Sequence, residues 1–195
     1  MMLTTLAYPR SGSTLIQFLL NYASPPIITD KLHGHDMINK DIDAFNDKEL
    51  LVLIRNYKEC IMSHLTRDDN QLDVSKIKKA FEQYIKVLEV YEASTCKKHL
   101  IYYEELITYP ATTLQSAADY FGYNIKQVIE KLDYYLAASR QNYISKLGKT
   151  QTSGKETIHF TPLTQHYNFN WDKEISSLNP ELYDKYLKIY GDDNE

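Results

Sequence analysis

The chain has 195 residues, 43% of them hydrophobic and 25% charged, with a formal net charge of −4. That length and balance predict one soluble globular domain, 1–195, with a sizeable core. The acidic excess excludes a global basic field for nucleic acid, so any anion site must be a local concentration of positive groups.

Residues 3–8 are short, β-branched and apolar and predict a buried strand, while residues 15–20 are apolar almost all round and predict a buried helix. Between them Pro9, Arg10, Ser11, Gly12, Ser13 and Thr14 form a hydroxyl-rich turn. A tight strand-turn-helix aims backbone N–H groups and the positive end of the helix dipole at one small volume. Gly12 lets the backbone approach a ligand, the hydroxyls add donors and Arg10 adds a fixed charge. The pattern suits a phosphate. It lacks the Gly-Lys-Ser/Thr spacing of a nucleoside-triphosphate loop, and an ordinary turn with a hydroxyl cap has the same residues.

Two prolines near residue 25 end the first helix. Residues 27–29 predict a second short strand leading into a polar loop, 30–36, with Lys31, His33 and His35. Loops at strand C-terminal ends are where α/β proteins place chemistry. The two histidines admit three roles: metal ligands, exposed loop residues, or a general base that takes a proton near neutral pH. Residues 38–47 are polar and read as a short helix or loop. Residues 50–54 are the strongest strand, an unbroken aliphatic run that fits a parallel strand covered on both faces.

After it come Arg55 and Asn56, then a helix of about two turns through Leu65. A turn at Asn56 and Tyr57 can fold Arg55 back over that helix toward Ser63. Arginine's planar fork suits phosphate oxygens and a serine can complete the shell; a strand-end arginine and a helix-surface serine are the plainer alternative. From Val74 to Tyr91 apolar residues recur at helical spacing, predicting an amphipathic core helix. Residues 99–103 predict a further strand ending at Glu104 and Glu105. Pro110 opens a helix that Gly122 closes, and Asn124 can cap another running towards Ser139. Residues 140–155 are polar, with lysines and glycines, and read as a basic flap or a solvated loop. Trp171 sits in an aromatic stretch with no assigned purpose. A last helix starts at Asn179 and Pro180 and ends at Gly191. Cys60 and Cys96 lack metal or redox spacing, and the N-terminus lacks signal-peptide features, so a reducing cytoplasm is the expected compartment.

Tyr8-Pro9-Arg10-Ser11-Gly12-Ser13-Thr14-Leu15 resembles the 5′-phosphosulfate loop of the sulfotransferases that use 3′-phosphoadenosine 5′-phosphosulfate (PAPS). Three further stretches keep that family's spacing. Lys31-Leu32-His33 is similar to the family's Lys-Thr-His, with leucine in place of threonine, and His33 precedes Arg55 by 22 residues as in the family. Arg55, Asn56, Glu59 and Ser63 fit its 3′-phosphate motif. Tyr103-Glu104-Glu105-Leu106, with Pro110 seven residues after the tyrosine, fits its adenine segment. The resemblance covers residues 3–122 and weakens beyond them, where Lys149 stands at the family's flap arginine and the flap tryptophan is missing.

The resemblance implies an α/β fold of three layers, a central parallel sheet like that of P-loop kinases, with the donor across the C-terminal ends of the strands. It implies that Arg10, Ser11, Gly12, Ser13 and Thr14 hold the 5′-phosphosulfate, that Arg55, Ser63 and the Lys149 flap hold the 3′-phosphate, and that Tyr103 lies by the adenine. His33 is then the base and His35 is not, with Arg10 and Lys31 assisting the departing nucleotide, PAP (3′-phosphoadenosine 5′-phosphate). No metal is expected, because a sulfuryl group carries less charge than a γ-phosphoryl group and residues 50–54 are followed by Arg55 rather than a carboxylate. The expected acceptor is a small molecule, glycan or peptide, with no nucleic-acid or membrane partner. The alternatives are a small-molecule or nucleotide kinase with a degenerate phosphate loop and an inactive nucleotide-binding module.

Overall fold

The computed structural model describes residues 3–27, 29–37, 41–68, 74–147, 173, 176–177 and 180–190. In chain order the strands are β1 (Leu3–Ala7), β2 (Thr29–His33), β3 (Glu49–Ile54) and β4 (Lys97–Tyr102). The helices are α1 (Ser13–Leu20), α2 (Gly34–Met37), α3 (Tyr57–Asp68), α4 (Val74–Ala93), α5 (Tyr103–Thr108), α6 (Pro110–Phe121), α7 (Lys126–Glu130), α8 (Leu132–Leu147) and α9 (Pro180–Tyr190). The strands make one four-stranded parallel sheet in the order β2-β1-β3-β4. The fold is α/β, with helices packed on both faces.

Side-chain alternation divides the core into two layers. Leu6, Leu50, Val52 and Ile54 face α3, α4 and α9. Leu3, Ala7, Leu51, Leu53 and Ile101 face α1, α6, α7 and α8. Because both faces are covered, β1 and β3 are buried along their whole length, which is why residues 50–54 read as one aliphatic run. Helix α4 buries Ile77, Phe81, Tyr84, Ile85 and Leu88 as its spacing predicts, whereas Val74, at its first turn, is exposed.

Several local expectations shift. The second strand runs from Thr29 to His33, so Lys31 and His33 are strand residues and not part of a loop. As an edge strand β2 is only half-buried, so it tolerates polar side chains that hide its periodicity. Helix α3 continues to Asp68, a turn beyond the expected end. The strand expected at residues 99–103 starts and ends earlier, and Tyr103 opens α5. The helix expected from Asn124 to Ser139 is two helices broken at Lys131, with Asn124 Oδ1 accepting the Lys126 N–H. Pro110 and Gly122 bound α6 as read, Gly122 taking the left-handed conformation (φ 80°). Among the described residues no helix is long and apolar enough to cross a membrane.

On β4, His99 packs against Tyr120 and Phe121. Burial lowers its pKa, opposed by nearby Glu105. The unfolded chain therefore binds more protons there, and stability declines as pH drops below about 6.5. His99→Gln should flatten the dependence of the melting temperature on pH between about 6.5 and 5, measured by circular dichroism.

Candidate active site

Sheet order decides where a site can form. β1 and β3 are neighbours, yet β1 leads into α1 on one face and β3 into α3 on the other. Their connections diverge, which puts the crevice expected of an open α/β sheet outside the C-terminal ends of the strands, the usual ligand position. Register brings His33 level with Ala7, Ala7 level with Leu53, and Ile54 level with Tyr102. The turn after β1, Arg55 after β3, Tyr103 after β4 and His33 at the end of β2 thus share one edge.

The turn after β1 has an unusual backbone. Arg10 lies at φ 74° and Gly12 at φ 89°, both left-handed, on either side of Ser11. Alternating handedness of this kind bends successive N–H groups into an anion-binding concavity. For Arg10, which carries a side chain, it costs on the order of 1–3 kcal/mol, a cost seen at ligand clamps. Gly12 is the N-cap of α1 with no side-chain cap hydrogen bond, and the first intrahelical bond runs from Ile16 N–H to Gly12 C=O at 3.1 Å. The amides of Ser13, Thr14 and Leu15 therefore precede the intrahelical ladder and point outward from the helix end.

The hydroxyls differ from one another. Ser11 is fully buried and its oxygen is closed off from solvent; Ser13 is also buried. Thr14 is exposed, and its Oγ1 accepts a 2.8 Å hydrogen bond from Lys31 Nζ. Burial lowers the Lys31 pKa. Beneath the turn, Cys60 is buried, and burial pushes its thiol above the usual range.

Arg10, Ser63 and Arg55 form one connected group. Arg10 Nε donates to Ser63 Oγ at 3.0 Å, and Arg55 Nη1 donates to the Arg10 carbonyl at 3.2 Å. Arg55 Nε and Nη2 both donate to Glu59 Oε2, at 3.2 and 2.7 Å. The Arg55 side chain is only 13% exposed, with Nε and Nη2 directed at Glu59 and Nη1 at the Arg10 carbonyl. The two anion-binding segments expected at opposite ends of a nucleotide adjoin in this arrangement, joined through Arg10.

Tyr103 lies under Arg55, its ring centroid 4.5 Å from Cζ, and against Gly12, where a Cβ would stand 2.9 Å from the ring. Burial pushes its phenol up, against the pull of the Arg55 guanidinium. His33 is half-buried at the end of β2, with its N–H held by Asp36 Oδ2 at 2.8 Å. His35 falls in α2. Of the flap expected at residues 140–155, residues 140–147 continue α8 instead of forming a loop, and residues 148–155, with Lys149, lie outside the described residues.

Sequence reasoning passed over several supports. Glu59 stood inside the arginine motif, four residues after Arg55, where a helix brings the two together. Tyr84 OH donates to the Arg55 carbonyl at 2.7 Å, and Glu104 Oε1 accepts the Asn56 N–H at 3.1 Å. Tyr8 shares a 2.8 Å hydrogen bond with His64 Nδ1 beside Ser63. No local pattern marks these contacts, since they cross between elements. Among the described residues no group of three or more histidine, cysteine, aspartate or glutamate side chains could hold a metal ion.

No family model matches the chain, and no curated protein matches it. Among solved structures, the sulfotransferase domain from the Synechococcus PCC 7002 olefin synthase is similar in outline, with 14% identity and a TM-score of 0.47. The alignment covers 66% of this chain and 75% of that one.

Proposed function

We propose that this chain is a cytoplasmic, PAPS-dependent sulfotransferase that moves a sulfuryl group to a hydroxyl or amine of a small-molecule, glycan or peptide acceptor. The observation that carries the reading is the meeting of Arg10, Ser63, Arg55 and Tyr103 in one crevice, contributed by segments up to 93 residues apart in sequence. The residues present suit a bisphosphate: two guanidinium groups, a serine hydroxyl and the first amides of α1 converge there.

On this reading the turn of Arg10–Thr14 holds the 5′ end of the donor, and Arg55 with Ser63 holds the 3′-phosphate. Ser63 accepts from Arg10 Nε and keeps its own O–H to donate to that phosphate. His33 accepts the proton of the acceptor as the new O–S or N–S bond forms and the S–O bond to the nucleotide breaks. Arg10, the amides of α1 and Lys31, already bonded to Thr14, meet the negative charge that develops on the departing oxygen. The donor supplies the sulfuryl group, and positioning with electrostatics supplies the rate.

Calorimetry with PAP and with ATP, each with and without Mg²⁺, tests the reading. Wild-type protein should bind PAP without metal and more tightly than ATP. Arg55→Ala should weaken PAP binding by about 1.5–3 kcal/mol, the scale of a hydrogen bond to a charged group, or roughly 10- to 150-fold. Failure of the wild-type protein to bind PAP, or Mg²⁺-dependent turnover of ATP in its place, overturns the assignment.

A further inference from the structure

We infer that Arg55 and Tyr103 form a clamp that holds the turn of Arg10–Gly12 in its anion-binding shape, making them positioning residues for the 5′ end of the ligand as well as contacts for its 3′ end. The identity of that ligand rests on the function proposed above; the clamp itself rests on geometry in the free protein.

A turn with Arg10 at φ 74° and Gly12 at φ 89° persists only where its surroundings over-determine it. Within the turn Ser11 N–H donates to the Tyr8 carbonyl at 3.3 Å, and Arg10 Nε reaches out to Ser63 Oγ at 3.0 Å. External support comes from two other strand ends. From β3, Arg55 Nη1 takes the Arg10 carbonyl at 3.2 Å. From β4, the Tyr103 ring covers Gly12 so closely that a Cβ there would lie 2.9 Å from Cδ2 and 3.3 Å from Cε2. The two parts brace each other, since the guanidinium lies over that same ring at 4.5 Å.

The clamp is anchored behind. The Arg55 carbonyl accepts from Tyr84 OH on α4, and Glu59 on α3 fixes one edge of the guanidinium. Arg55 is therefore tied at both ends before any ligand arrives. A ring wedged between Gly12 and a guanidinium also accounts for glycine at position 12, where a side chain would be strained by φ and would meet the ring. The arrangement ties the two ends of the crevice together: an anion bound to Arg55 bears on the residue that braces the 5′ turn.

The test has two readouts. The first is amide hydrogen exchange at Ser11 and Ile16, whose N–H groups are bonded to the Tyr8 and Gly12 carbonyls, in ligand-free wild type, Arg55→Ala, Tyr103→Leu and Tyr103→Phe. The clamp predicts exchange about tenfold faster or more in Arg55→Ala and Tyr103→Leu, and near-wild-type exchange in Tyr103→Phe, which keeps the ring. The second is calorimetry with adenosine 5′-monophosphate, which has no 3′-phosphate for Arg55 to grip. Its affinity should fall about threefold or more in Arg55→Ala and Tyr103→Leu. Unchanged exchange in both variants overturns the clamp, as does a Tyr103→Phe variant that exchanges as fast as Tyr103→Leu. If Arg55→Ala loses affinity for PAP but not for adenosine 5′-monophosphate, the clamp is wrong and the 3′-phosphate grip stands alone. If wild type binds neither nucleotide, the proposed function fails and the exchange data still decide the clamp. Should Arg55→Ala not fold, the two Tyr103 variants carry the comparison.

Discussion

Replacing His33 with alanine should lower the rate of sulfuryl transfer about a hundredfold or more while leaving PAP affinity within about twofold of wild type. The expectation follows from position. His33 is the last residue of β2, level with Ala7 on β1, and Ala7 is two positions before the turn that carries Arg10. The Asp36 carboxylate holds its backbone N–H, fixing where β2 ends. His33 closes β2, whereas Arg55 follows β3 and Tyr103 follows β4, so its loss should spare donor binding and act on the proton transfer. Single-turnover assays with saturating PAPS, run beside calorimetry with PAP, separate the two effects. Full activity in His33→Ala with loss in His35→Ala would move the role of base to the other histidine.

Gly34→Ala should destabilise the protein by about 1–3 kcal/mol, lowering the melting temperature by roughly 2–10 °C in a chain of this size. Gly34 follows His33 directly, opens α2 and is buried. An added Cβ would overlap the Gln83 carbonyl oxygen on α4 and stand 2.9 Å from its carbonyl carbon. Those are backbone atoms inside a long helix, so no side-chain rotation relieves the clash; α2 must back away from α4. Because α2 hangs from the end of β2, that displacement passes to His33. The variant should therefore also lose transfer activity at temperatures where it remains folded, with PAP binding less affected. A melting temperature equal to wild type would show that α2 packs less closely than this.

Some of the protein was legible without the fold. The strand of residues 50–54, the helical spacing after Val74 and the proline and glycine bounding α6 each depend on local chemistry that a neighbouring stretch reveals: period, capping and backbone freedom. The strand-turn-helix around Gly12 was also visible, because it needs only a short run of consecutive residues. β2 was expected at residues 27–29 and lies at Thr29–His33, because an edge strand need not be apolar, and Lys31 and His33 therefore read as loop residues.

Tertiary structure alone decided which of the candidate groups meet. Parallel strands ordered β2-β1-β3-β4 carry Arg10, Arg55 and Tyr103 to one edge across gaps of 45 and 48 residues, and no local periodicity encodes that adjacency. The fold also turned Ser11 inward, since a turn crossing the top of a buried strand must hide one side chain while the next backbone groups face the crevice. It made Tyr103 a support for Gly12, because the end of β4 comes up beside the turn after β1. Spacing along the chain chose the residues, and the packing of helices on both faces of a twisted sheet set what each can touch.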